Sequence, residues 1–165
     1  MARIVQRITP FLWFDDNAEE AAKFYVSVFA NSRIVGVTRY PAEGAKAAGR
    51  PPGSVMTVSF ELSGQAFTAM NAGPAFKFTE AISFMVNCDS QQEVDHFWNT
   101  LSAGGKEVEC GWLKDKFGLS WQITPTALME MIHDKDPEKV ARAFAAMLKM
   151  KKIDIATLRR AYDGL

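Results

Sequence analysis

Apolar and polar positions along the chain change period at Asp15-Asp16. Residues 8–14, ITPFLWF, have the aromatic and branched character of a short strand. Two aspartates then break the apolar run, and Ala18, Ala21, Ala22, Tyr25, Val28 and Phe29 recur at helical spacing. The spacing predicts a helix with Asn17 as its N-cap and Glu20 reaching back to complete a capping box. One side of that helix must lie on something apolar, and the preceding strand is the nearest candidate.

The same pattern returns 73 residues later. Phe11, Asp16, Glu20, Phe24 and Ala30 map onto Phe84, Asp89, Glu93, Phe97 and Ala103, all identical pairs. Tyr25 maps to Trp98, Val28 to Leu101 and the cap Asn17 to Ser90. Strand, break, capping box and apolar stripe recur in register, which identifies an internal structural repeat.

Between the two copies, residues 33–40 read as a strand and 41–53, PAEGAKAAGRPPG, as a long loop. Residues 54–62 alternate, with Met56, Val58, Phe60 and Leu62 on one face and Val55, Thr57, Ser59 and Glu61 on the other. Ser63-Gly64-Gln65 then turns the chain into a strand over 66–71. The second copy runs as strand 81–88, helix 90–103 and strands 106–110, 111–114 and 119–124. Both copies are therefore β-α-β-β-β. After Pro125 the pattern is helical: 126–132, 137–150 capped by Asp136, and 155–162 capped by Asp154. Ala141, Phe144, Ala145 and Leu148 form an apolar stripe on the middle helix, expected to fold back on the sheet or on a second subunit.

Composition narrows the function classes. In 165 residues, nineteen basic side chains cancel nineteen acidic ones, and no Lys/Arg cluster has the form of a phosphate footprint, which argues against nucleic acid as a partner. No apolar run approaches the ~20 residues of a membrane span, and no leader pattern opens the chain, so a soluble, cytoplasmic protein is expected. Cys88 and Cys110 are too few for a disulfide framework or zinc knuckle and read as reduced thiols. His96 and His133 fall on helices.

The blocks TPFLWFDDNAEEAAKFYVSVF and CGWLKDKFGLSWQITP, in two tandem modules, resemble the vicinal oxygen chelate (glyoxalase and bleomycin-resistance) superfamily. The resemblance is nearer to its PhnB-like branch, often labelled 3-demethylubiquinone-9 3-methyltransferase, and extends to the tail MLKMKKIDIATLRRAYDG. It implies one α+β glyoxalase-like domain: module one over 6–74, module two over 80–125 and a helical tail over 126–165. The two tandem βαβββ sheets would form an open barrel-like cleft. Metal-dependent members hold a divalent ion there with His, Glu or Gln, at positions that fall here on Thr9 or Pro10, Asn71, Ile82 or Ser83, and Gln122. At best two amide oxygens are offered, so neither a bound metal nor another cofactor is expected.

Thr57, Ser59, Asn71, Ser83, Ser120 and Gln122 are expected to face the cleft, with Trp13 as an aromatic wall, a set suited to a small organic ligand. In the blander alternative, Asn71 and Gln122 bond each other or strand backbone in a filled core. Two other functional readings stay open. One is an enzyme of lyase, isomerase or methyltransferase-like type using Glu61 or another cleft carboxylate with a weakly recruited cation. The other is a dimeric interaction protein with a filled cleft. Against methyl transfer, no strand is followed by the Gly-rich turn that a Rossmann-type enzyme uses for its cofactor. A homodimer is expected, because short modules leave sheet edges and apolar helix faces that a symmetric partner can cover.

Overall fold

Each half of the repeat builds its own four-stranded sheet. The computed structural model describes residues 6–165 and divides into two units, the first ending at Lys77 and the second running from Phe78 to Leu165. In the first, β1 (Phe11–Phe14), α1 (Ala18–Val28), β2 (Arg33–Arg39), α2 (Ala42–Ala48), β3 (Val55–Leu62) and β4 (Gln65–Asn71) follow in order. The sheet order is β1-β4-β3-β2, with β1 parallel to β4 and the other pairings antiparallel.

Alternation along the strands assigns the faces. Leu12 and Phe14 of β1, Val58, Phe60 and Leu62 of β3, and Phe67 and Ala69 of β4 are buried, and α1 packs on β3 and β4. The helix meets them with the expected stripe, Ala18, Ala21, Ala22, Tyr25 and Val28, and the Tyr25 ring stacks on Phe60 at 6.3 Å. Burial of side chains such as Val58 and Phe60, 0% and 1% exposed, contributes about 1.5–3 kcal/mol each.

Two expectations for this unit are corrected. Asn17 occupies the N-cap position of α1 but makes no side-chain cap bond, because its backbone (φ −111°, ψ 24°) is not the extended form that turns a cap side chain back. Asn71 caps the helix instead, its Oδ1 accepting from Ala18 N at 2.8 Å. The loop at 41–53 contains α2, since AEGAKAA is rich in helix formers and is bounded by Pro41 and by Gly49 in the left-handed conformation.

The second unit repeats the plan with β5 (Ser83–Cys88), α3 (Gln91–Ser102), β6 (Lys106–Glu107), β7 (Trp112–Lys114) and β8 (Ser120–Pro125), in the order β5-β8-β7-β6. Again the first strand is parallel to the last. Val94, Trp98 and Leu101 of α3 cover the face formed by Val86, Cys88, Trp121 and Ile123. Ser90 Oγ accepts from Glu93 N at 3.2 Å, and Glu93 Oε2 reaches back to Asp89 N at 2.6 Å. The expected capping box is thus formed, with its return bond one residue early.

Strand β6 ends at Glu107 rather than at residue 110, because Cys110 (φ 60°) and Gly111 (φ 83°) turn the chain through the left-handed region. A Cβ at Gly111 would lie 2.9 Å from Ile123 O, so the turn requires glycine there. The bend lets Cys110 N and Gly111 N donate to Met150 O and Lys151 O, both at 2.7 Å, which ties the tail to this sheet.

The tail consists of α4 (Thr126–Ile132), α5 (Pro137–Met147) and α6 (Ile155–Asp163). Its core is Leu128, Met131, Ala143, Ile153 and Leu158. Gln91 of α3 also grips it, donating to Ile153 O at 3.1 Å and accepting from Ile155 N at 2.9 Å. The fold-back is as expected, but the face of α5 is not. Ala143 with Ala146 and Met147 packs inward, while Ala141, Phe144, Ala145 and Leu148 stay exposed. Arg142 fixes that rotation, because its guanidinium donates to Ala161 O and Tyr162 O of α6. No helix among the described residues is long and apolar enough to cross a membrane.

Candidate functional site

Helices cover one face of each sheet, and the side chains of the other face are the candidate site. In the first unit, strand register builds that face in rows. One row runs Trp13, Met70, Thr57, Thr38 and the next Phe11, Thr68, Ser59, Gly36. Thr38 and Thr57 share a hydroxyl–hydroxyl hydrogen bond of 2.5 Å. Trp13 is held by its Nε1 donating to Gly73 O at 2.9 Å and by an edge-on contact with the Phe76 ring at 5.0 Å. Trp13, Thr57 and Ser59 therefore share one face.

Asn71 does not join them. It lies in line with Phe67 and Ala69 on the α1 side, buried, with Oδ1 on Ala18 N and Nδ2 donating to Val55 O at 3.2 Å. Its backbone oxygen accepts from Tyr40 Oη at 2.6 Å. The amide ties helix, strand and α2 entry together and has no capacity turned to the open face, so the strand-backbone alternative holds for it.

The second unit brings three of the expected residues together. Ser83 pairs with Ser120 and Met85 with Gln122 across β5 and β8, so Ser83, Ser120 and Gln122 lie on the face away from α3. Gln122 Nε2 donates to Ser83 Oγ at 2.9 Å. Trp112 and Lys114 continue the two rows on β7, and Lys114 is ion-paired with Glu80. Ser120 is 1% exposed, and its Oγ has no hydrogen-bond partner. A buried hydroxyl without a partner is uncommon, and this one stands beside a serine–glutamine pair.

Sequence reasoning assigned no role to Asp115, which holds this row in place. The residue is 2% exposed, and its carboxylate accepts from Phe117 N at 2.8 Å, Leu119 N at 3.1 Å and Trp121 Nε1 at 2.8 Å. The backbone adds Asp115 N to Leu119 O and Gly118 N to Asp115 O, both at 2.9 Å. Ser120 is thus flanked on both sides by residues clamped to one carboxylate. An aspartate followed by Lys-Phe-Gly was the available signal, since aspartate commonly binds the amides of its own turn.

The remaining candidates are plain. Glu61 is half-buried near the end of β3 and accepts from Arg33 Nε at 2.9 Å and Nη2 at 3.3 Å, which holds its carboxyl below the usual range. A general base needs the opposite shift, and Glu61 loses that assignment. Burial pushes the Cys88 thiol up to about 12, so it remains a protonated packing group. His133 Nδ1 bonds Met129 O at 2.7 Å at the end of α4, and exposed His96 lies edge-on to Phe97.

The positions that would carry a divalent ion do not fit one. The Asn71 amide is committed, Gln122 is bonded to Ser83, Ile82 is apolar, and Thr9 and Pro10 bring no imidazole or carboxylate. Among the described residues no group of three or more His, Cys, Asp or Glu side chains could hold a metal ion. The turns from β1 to α1 and from β5 to α3, Asp15-Asp16-Asn17 and Asp89-Ser90, contain no glycine for a Rossmann-type cofactor.

Two mixed four-stranded βαβββ sheets with C-terminal helices define a glyoxalase-fold α+β protein. The profile of the 3-demethylubiquinone-9 3-methyltransferase family matches residues 6–124, and the chain belongs to that family. A structure described as a putative 3-demethylubiquinone-9 3-methyltransferase, PhnB protein, from Bacillus cereus is 36% identical, with TM-score 0.65, covering 73% of this chain and 99% of that one. A protein from Pseudomonas aeruginosa is 21% identical, with TM-score 0.58, covering 73% and 97%. The fosfomycin resistance protein FosX from Listeria monocytogenes is 15% identical, with TM-score 0.50, covering 80% and 100%, a likeness of fold alone. No curated protein matches the chain. The family match ends just before α4, so the tail, which the resemblance was expected to include, lies outside it.

Proposed function

We propose that this chain binds a small organic molecule on the helix-free face of its sheets, through Ser83, Ser120, Gln122 and neighbouring aromatic side chains, and that it does so without a tightly held transition metal. The observation that carries the reading is the Ser120 hydroxyl, buried and unpartnered beside the Ser83–Gln122 pair. Uncharged donors and acceptors next to Met85 and Trp112 suit a ligand with an apolar or aromatic body and a few hydrogen-bonding groups. The donor set supports metal independence, since hydroxyls and a bonded amide are poor ligands for zinc, nickel or iron.

Thermal-shift screening of a library of aromatic and heterocyclic metabolites tests the reading. A ligand at about 100 times its Kd adds about 2.7 kcal/mol, which raises Tm by about 5–10 °C in a chain of this size. Ser120→Ala should leave the free protein as stable or slightly more so, because it removes an unpartnered hydroxyl, while weakening binding about tenfold. Hits that bind Ser120→Ala and Gln122→Leu as well as the parent would refute the site. Binding that disappears with chelator, alongside about one transition metal per chain by elemental analysis, would refute metal independence.

A further inference from the structure

Register extends the serine row of the second unit across all four of its strands. Ser83 on β5 lies opposite Ser120 on β8, Ser120 opposite Lys114 on β7, and Lys114 opposite Lys106 on β6. Directly opposed residues project to the same side, so both lysines share the serines' face, away from α3. Glu107, next along β6, has the other parity and accepts from Trp98 Nε1 of α3 at 2.9 Å. Strand β8 lies between β7 and β5, and Glu80 stands just ahead of β5. The Lys114–Glu80 ion pair therefore joins β7 to the segment entering β5, at the end of the sheet that carries Ser83 and Ser120.

Charge on this row is unbalanced. One carboxylate, Glu80, faces two ammonium groups: Lys114 bonds it and holds its carboxyl below the usual range, and Lys106 adds to that field. The Glu80 side chain is 62% exposed, and its backbone belongs to a turn outside the strands. An ion pair so open to water is weak and readily exchanged. Ser120 is the opposite case, 1% exposed with its hydroxyl unpartnered, and a ligand reaches it only when a neighbouring contact gives way. Breaking the Glu80 contact strands the Lys114 charge unless the incoming group is itself an anion. The adjoining row, Met85, Gln122 and Trp112, offers the apolar and aromatic surface for the rest of such a molecule.

We propose that the ligand of this face is an aromatic carboxylate, whose acid group takes the place of the Glu80 carboxylate on Lys114 with Lys106 in support. Glu80 is then a resident counter-ion, which closes the end of the row beside Ser120 until an acid displaces it. The inference rests on the small-molecule reading of this face and adds the charge of the ligand and the contact that admits it.

Calorimetric titration of the full chain with pairs matched in body and differing in charge, phenylacetate against phenylacetamide and cinnamate against cinnamamide, tests the proposal, with the Tm of each free variant as folding control. The parent should bind each acid about tenfold tighter than its amide. Glu80→Gln should tighten the acids about threefold and leave the amides unchanged, because it removes only the competing charge. Lys114→Gln keeps most of the stem and should bring acid and amide to within about threefold of each other. Ser120→Ala should weaken acids and amides alike, a readout of the face that is independent of charge. Acids and amides that bind the parent equally, both weakened by Ser120→Ala, would overturn the charge assignment and leave the small-molecule reading standing. A preference for acids that survives Lys114→Gln, or acids that gain nothing from Glu80→Gln, would overturn the displacement. Failure of both acids to bind at millimolar concentration would overturn this proposal alone, whereas acids that bind Ser120→Ala as well as the parent would overturn the site on which both readings stand.

Discussion

Replacing Asp115 measures how firmly the β7–β8 turn holds the serine–glutamine row. In Asp115→Ala, the Phe117 and Leu119 amides and the Trp121 indole lose their acceptor in a place that water reaches poorly. Each buried donor left unmatched costs about 1–3 kcal/mol, and partial relaxation of the exposed end of the turn reduces the sum, so a loss of about 4 kcal/mol is expected. Asp115→Asn keeps Oδ1 for the two amides but turns an NH2 group toward the Trp121 indole, for a loss of about 2 kcal/mol. Urea unfolding followed by tryptophan fluorescence gives both values, and the alanine variant should melt about 8–16 °C lower. Native-state hydrogen exchange at Phe117 and Leu119 should accelerate before the rest of the sheet. An alanine variant within about 1 kcal/mol of the parent, or asparagine as damaging as alanine, would refute the clamp.

Asn71→Ala should lower stability by about 2–3 kcal/mol in the same assay, because it removes the α1 cap and the bond to Val55 O together. Gly105→Ala should prevent β6 from pairing, since the added Cβ would fall 2.1 Å from Lys114 O, and a loss of about 3 kcal/mol or failure to fold is expected. Cys88 should resist iodoacetamide in the native protein at pH 8 and react on unfolding, as read by mass spectrometry. Its thiol also sets an alkaline limit. The unfolded thiol gives up its proton near its ordinary value of 9.0 while the folded one holds it to about 12, so Cys88→Ala should flatten the fall in stability across that window.

Much of this architecture was written in the spacing. The α1 stripe is buried as its periodicity required, and the repeat at 73 residues became two sheets of the same strand order. Asn71 was misread because β4 carries Ala66, Thr68 and Met70 on one face and Phe67 and Ala69 on the other, apolar enough on both sides to leave the period-2 signal without a direction. Helix α5 misled in the opposite way. It has two apolar faces, and the smaller side chains are buried because the Arg142 bonds to α6 fix its rotation, a tertiary contact that no local pattern encodes. The three residues that do meet, Ser83, Ser120 and Gln122, were found because strands β5 and β8 were correctly placed and their parity was unambiguous.

The parallel pairing of the first and last strand in each unit also bears on how the chain leaves the ribosome. Strand β1 cannot be matched until β4 has been synthesised, and β5 waits in the same way for β8. Among the described residues the first sheet is built from β1, β4, β3 and β2, so its last strand is complete once residue 71 has cleared the exit tunnel. Vectorial synthesis can therefore complete one hydrogen-bonded ladder before the matching one exists, which keeps strand–helix segments of the same apolar pattern from exchanging places during folding.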